Sequence, residues 1–316
     1  MLLALAACGS EDAGSADPTT EPTAAAEDTT DPAGACEPAG DALPEADGDF
    51  GDAPTFTWPD GCAPEGLQVE VLSEGDGTEV GLGAAVVANY AGYVWGSDTP
   101  FDSSYERGNP SLFSLNQVVQ GWSTGIPGAT VGSRLLLSIP PDLGYGEAGN
   151  AGAGIAGTDT IVFVVDVVDT FNADMAGEAD AAAVADDALP VTVEGELGEA
   201  AGLTVASDAE SPTEPAVYRV ADGTGDPVAM GQFVAVAYTV TYWDGSSNET
   251  SWSPGYGEPA DAEPGPASGP LVAMLGQGTI FDLLDGVPVG SRVVLVAPGS
   301  DGEPALAVVA DVLGAV

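Results

Sequence analysis

The 316-residue chain has no histidine, no lysine and only three cysteines, and its four arginines face 50 acidic residues. Without histidine the commonest general base and metal ligand is missing, and three scattered cysteines do not make a transition-metal site. No acidic loop of the calcium-binding type occurs either. Neither a metal nor an organic cofactor is therefore expected. The formal charge of -46 argues against nucleic acid and anionic lipid headgroups as partners, because such a polyanion repels both. The acidity reads as a solvated surface. Long apolar runs are also absent: no stretch reaches the 18 or so apolar residues that a membrane-spanning helix needs. The length suits two domains of ordinary size.

The amino terminus is apolar from Met1 to Ala7, and Leu5-Ala6-Ala7-Cys8 resembles the lipobox of bacterial lipoproteins, whose cysteine becomes the lipidated first residue. The basic n-region and longer apolar run of an export signal are missing, so residues 1–8 are expected to be the end of a signal peptide that starts further upstream. Residues 9–49 hold 12 acids and no base among Ala, Thr, Pro and Gly. Such a segment buries too little apolar area to fold and is expected to be a disordered acidic spacer. The expected location is extracytoplasmic, with a lipid at Cys8 anchoring the chain to the cell membrane. Cys36 and Cys62 remain as an even pair, which an oxidising exterior favours joining; a loop of that length is worth on the order of 3 kcal/mol. Two unpaired thiols are the open alternative.

Short apolar or alternating runs at 86–90, 135–139 and 161–165, bounded by Gly, Pro and Asp, predict strands of an antiparallel sheet. A short helix is expected near Trp122, between Gly121 and Gly125. The layout is α+β, a curved sheet wrapped about one helix. From Tyr90 to Phe163 the chain carries, in order, Tyr90, Phe101-Asp102-Ser103-Ser104, Arg107, Val118-Val119-Gln120-Gly121-Trp122, Val131-Gly132, Pro141-Asp142-Leu143-Gly144-Tyr145-Gly146, Ile155 and Phe163. One aromatic at strand spacing is more often core than site, and only the combination favours a pocket.

This order and spacing resemble the FKBP-type peptidyl-prolyl cis-trans isomerases over about Gly66 to Thr170. The resemblance implies a rotamase that takes X-Pro segments of unfolded or exported proteins and assists their folding. Trp122 would be the floor under the proline ring, and Tyr90, Phe101, Val118, Val119, Ile155 and Phe163 the walls. The Tyr145 hydroxyl and the Val119 N–H would donate to substrate carbonyls. Asp102 would sit at the wall beside Arg107, where a plain surface salt bridge and a wall-shaping pair both stay open. The chemistry needs no general base. Peptide rotation is opposed by an amide-resonance barrier of roughly 18–20 kcal/mol, and a dry pocket lowers it by favouring the twisted state over the planar, hydrated one. Ser111 departs from the family, which usually has an aromatic there; the loop between Leu115 and Val118 is two residues shorter, and Asn150 stands among small residues in place of a bulkier flap.

Beyond an Ala-rich acidic stretch, 174–187, the sequence repeats itself. Leu197-Gly198-Glu199-Ala200 echoes Phe50-Gly51-Asp52-Ala53 at an offset of 147, Tyr238 and Trp243 echo Tyr90 and Trp95 at 148, and Val289-Gly290-Ser291-Arg292 echoes Val131-Gly132-Ser133-Arg134 at 158. Two tandem FKBP-like domains are expected, at 50–171 and 191–316, joined by a linker at 172–190 that is partly helical. At an offset of 148, Phe101-Asp102 falls opposite Glu249-Thr250, and at 158 Trp122 falls opposite Ile280. Arg292 and Asp311 are 19 residues apart against 32 for Arg134 and Asp166, and the missing piece includes Tyr145. The second copy is expected to be structural or interacting, not catalytic. Rival functions are a peptide-holding chaperone without catalysis and a surface protein using the fold as a scaffold.

Overall fold

The computed structural model describes residues 42–184, 189–245, 248–259, 261, 268–300 and 302–316. Cys8, Cys36 and the segment up to residue 41 lie outside the described residues. Cys62 is disulfide-bonded.

Order begins earlier than the sequence predicts, with a hairpin of β1 (Glu45–Asp47) and β2 (Thr55–Thr57) inside and just after the expected spacer. The first large sheet follows: β3 (Gln68–Ser73), β4 (Ala85–Val94), β5 (Asp102–Ser103), helix α1 (Ser104–Arg107), β6 (Ser111–Ser114), helix α2 (Gln120–Gly125), β7 (Arg134–Ile139) and β8 (Ile161–Phe171). Its antiparallel order is β3-β7-β8-β4-β5, and β6 pairs with the start of β4. Alternation sorts β7 and β8 into two faces. Leu135, Leu137, Phe163 and Val165 join one core with Trp122 of α2. Leu136, Val162 and Val164 point the other way and are covered by Leu43, Ala46, Phe56 and Trp58 of the hairpin segment. Gly121 lets α2 approach closely, since a Cβ there would strike the Ile139 side chain.

The second large sheet comprises β9 (Ala182–Ala183), β12 (Ala216–Asp222), β13 (Phe233–Tyr242), β14 (Asn248–Thr250), β15 (Leu271–Met274), β16 (Arg292–Ala297) and β17 (Leu306–Ala315); a second hairpin is formed by β10 (Thr192–Glu194) and β11 (Gly202–Thr204). Its order is β14-β13-β17-β16-β12-β9, with β15 on β13. Apart from β9, this is the strand path of the first sheet. In place of a short α-helix it has a 3-10 helix, Ile280–Leu284. Among its described residues the linker, expected to be partly helical, holds no helix: Gly177 N–H donates to Asp311 Oδ2 at 2.7 Å, Glu178 accepts from Thr224, and β9 extends the sheet edge. Its Ala-rich backbone finds donors and acceptors on the sheet that a free linker lacks.

Two of the four arginines are buried beside an aspartate on the neighbouring strand. Arg134 pairs with Asp166, and Arg292 with Asp311, each residue at most 2% exposed. A buried ion pair persists only when further hydrogen bonds satisfy it. Here the backbone supplies them: Arg134 donates to the Asp49 and Asp52 carbonyls, and Gly51 N–H donates to Asp166. Arg292 donates to the Glu196 and Glu199 carbonyls in the same way. This is why the Gly51 and Gly198 turns echo one another in sequence. The two sheets also meet, through a buried cluster of Ala85, Val87, Leu112 and Ala235.

Candidate active site

The α2 helix places Trp122 between strands, 4% exposed, with three rings edge-on to it. Tyr90 from β4 lies 5.6 Å away at 87°, Phe113 from β6 5.1 Å away at 73°, and Phe163 from β8 5.2 Å away at 81°. Phe101 stands edge-on to Phe163 at 5.6 Å. Together with Asp102, Gln117, Val118, Val119 and Tyr145 these rings line a cavity of about 310 Å³. Edge-to-face packing of this kind fixes rings that area burial alone would leave free to slide.

Eight of the nine candidate pocket residues thus come together. Ile155 does not line the cavity. Reciprocal backbone hydrogen bonds with Asn150, at 2.8 and 3.0 Å, close a tight turn that drives its side chain into the core below. Phe113 and Gln117 are additions. Phe113 was legible in principle: it lies two positions from Ser111, on the same face of β6, and supplies a ring where Ser111 has none.

The polar wall is a network. The Tyr90 hydroxyl donates to Asp102, Arg107 Nη1 pairs with Asp102, and Arg107 Nη2 donates to the Tyr90 hydroxyl oxygen at 2.8 Å and to Ser111 Oγ at 3.2 Å. The Arg107 guanidinium also lies 5.4 Å from the centre of the Tyr90 ring. Burial, then the Asp102 carboxylate, push the Tyr90 hydroxyl up to about 12. Burial disfavours the Arg107 charge, but its bonds to Tyr90 and Asp102 outweigh this and leave its pKa raised. Asp102 and Arg107 are nearly half exposed, so the pair lies at the water boundary of the cavity. Behind it, Ser104 Oγ accepts from Tyr90 N–H at 2.8 Å, and the Tyr105 hydroxyl of α1 donates to buried Asp166 at 2.7 Å.

Two donors stand ready at the cavity. Val119 precedes α2; its carbonyl accepts from Trp122 N–H at 2.9 Å, while its own N–H donates to no described residue. Tyr145 follows the 3-10 turn Pro141–Leu143, which Gly146 N–H closes onto the Pro141 carbonyl at 2.7 Å, leaving the ring half-buried against the core.

In the second sheet the strand register corrects the sequence alignment. Val240 pairs with Glu249 as Gly92 pairs with Asp102, so Glu249, not Thr250, takes the acid's place, because the preceding turn has lost one residue. The Tyr238 hydroxyl donates to Glu249 at 3.0 Å, and Tyr238 N–H donates to Ser251 Oγ at 2.7 Å. The ring beside Tyr238 is Phe281, at 6.5 Å, next to the Ile280 expected as floor.

The family model for FKBP-type peptidyl-prolyl cis-trans isomerase matches residues 77–168, within the first large sheet. A probable FK506-binding protein of Corynebacterium glutamicum is 40% identical over 115 residues, 36% of this chain and 96% of its own length. An FK506-binding protein of Streptomyces anulatus is 38% identical over 117 residues, covering 36% of this chain and 94% of its own. The FKBP-type peptidyl-prolyl cis-trans isomerase FkpA of Escherichia coli is 40% identical over 121 residues, 37% of this chain and 44% of its own. The chain belongs to the FKBP-type peptidyl-prolyl cis-trans isomerases.

Proposed function

We propose that the first sheet isomerises X-Pro bonds of exported proteins through its aromatic cavity, and that the chain is held at the cell membrane by a lipid on Cys8. The observation that carries the first part is Trp122, enclosed edge-on by three rings in a cavity sized for a small apolar ring. Trp122 floors the proline ring. The apolar walls withhold water from the planar, charge-separated amide, and the Val119 N–H and the Tyr145 hydroxyl donate to substrate carbonyls and fix the twist. The Asp102–Arg107 pair holds the Tyr90 ring and does not transfer a proton.

The second sheet is a degenerate copy of the first, a tandem FKBP-like domain without isomerase activity. Shared strand order and the repeated arginine–aspartate pair support the common origin. Its donor loop is already occupied: Gly276 and Gly278 N–H donate to Asp282 at 2.7 and 2.8 Å, which holds that carboxyl below its usual range. The amides that a substrate carbonyl would need are taken by the chain's own carboxylate.

A protease-coupled assay on a proline-containing peptide tests the reading. Wild type should accelerate isomerisation, and Tyr145→Phe should lower kcat/KM roughly a hundredfold, the loss for one pre-placed donor being about 3 kcal/mol. Unchanged activity in a Trp122→Ala, Tyr145→Phe double variant would sink the cavity mechanism; binding of unfolded protein without isomerisation would favour the chaperone reading. The motif Leu5–Cys8 supports the anchor. Protein with Cys8→Ala should leave the membrane fraction, and non-reducing peptide mapping should join Cys36 to Cys62.

A further inference from the structure

Strand β6 is a partition one residue thick. Successive side chains of a strand face opposite ways. Leu112 faces the second sheet, in a buried cluster with Ala85, Val87 and Ala235 that Val272 and Leu313 extend. Phe113, its neighbour, faces the cavity, 5.1 Å from Trp122 and 5.3 Å from Tyr90. The loop that follows β6 is tied to the same neighbour: Asn116 Nδ2 donates to the Ser268 carbonyl at 3.0 Å. Beside it Gly83 and Gly269 touch through their backbones so closely that a Cβ on Gly269 would overlap the Gly83 carbonyl. This loop carries Gln117, Val118 and Val119 into the cavity lining.

We propose that the carboxy-terminal half is a positioning element for the isomerase cavity: it braces β6 and the loop 115–119 from behind, and so fixes Phe113, Val118 and the Val119 N–H relative to Trp122. The proposal rests on the isomerase reading above. It assigns to the degenerate copy a task that needs no pocket of its own, only a rigid apolar face.

The test uses the full chain. Val272→Asp places a carboxylate in the cluster between the sheets, remote from the cavity lining; Asn116→Ala is a milder variant that removes only the tie to Ser268. Hydrogen exchange is followed by mass spectrometry alongside peptide isomerisation. Exchange in residues 111–119 should accelerate tenfold or more in Val272→Asp while β7 and β8 keep wild-type protection. Its kcat/KM should fall at least fivefold, mainly through KM, and that of Asn116→Ala about twofold. Wild-type exchange in 111–119 despite opening at residues 83–87 would overturn the proposal, as would accelerated exchange there with kcat/KM unchanged. Uniform acceleration reaching β7 and β8 in both variants would also overturn it, leaving a merely structural role. An inactive wild-type chain would refute the isomerase reading, and the exchange data would still decide whether the bracing exists.

Discussion

Tyr90 joins the dry and wet parts of the cavity, its ring against Trp122 and its hydroxyl between Asp102 and Arg107. With its pKa pushed up to about 12 from 10, the phenol keeps its proton in the folded state after the unfolded chain has lost it. A raised folded-state pKa contributes stability that is full below pH 10 and is lost as pH rises toward 12. In urea unfolding, the stability gap between wild type and Tyr90→Phe should therefore narrow by about 1 kcal/mol by about pH 11, and continue to narrow above it. A constant gap across that range would show that burial does not hold the proton. At this scale sequence served well where a side chain acts through its own type: Trp122, Tyr145 and Phe163 are where spacing puts them. It served badly for Ile155 and Glu249, whose places depend on a turn's closure and on one residue lost from a hairpin, neither of which a residue's identity reveals.

At the scale of elements, the hairpin β1–β2 was hidden and matters. Its strands are three residues each, with acids and threonines that predict nothing by themselves; their partner is the back of β7 and β8, which the chain reaches only after four intervening strands. A polypeptide starting at Gly66 would uncover Leu136, Val162 and Val164 and strip buried Arg134 and Asp166 of the Asp49, Asp52 and Gly51 backbone. Leaving a buried hydrogen-bonding group without its partner costs about 1–3 kcal/mol, more when the group is charged. We expect residues 66–171 to be at least that much less stable to urea than residues 42–171, or to aggregate; equal stability would make the hairpin ornamental. The β4 run, by contrast, was legible as strand, and its almost unbroken burial says more than strand: both faces are covered, one by the core and the other by the second sheet at Ala85 and Val87 and by Phe56 of the hairpin at Tyr93.

For the whole molecule, near-constant offsets are what motivate the proposed repeat, and the second sheet runs through its strands in the same order as the first, apart from β9. The contact between the sheets was not visible, because Ala85, Val87 and Leu112 read as ordinary core until a second apolar face is set against them. Activity should reside in one half only. In the full chain, the Trp122→Ala, Tyr145→Phe pair of changes should leave less than about a hundredth of wild-type kcat/KM, in line with the loss of the stacking floor together with a pre-placed donor; a larger residue traced to the 216–315 sheet would mean that it holds a working pocket after all.

The placement of the arginines has one more outcome, in the language of digestion. A trypsin-like protease cuts only after lysine or arginine, and this chain offers four such bonds in 316 residues. Two follow Arg134 and Arg292, sealed beneath their hairpins. The others follow Arg107, engaged by Asp102 and Tyr90 at the end of α1, and Arg219, paired with Asp222 within β12. The folded protein should survive trypsin for hours under conditions that degrade ordinary proteins in minutes, with any first cut after Arg107 or Arg219, readable on a gel by fragment mass. Having so few positive charges, two of them sealed, thus leaves a whole class of proteases only two places to start.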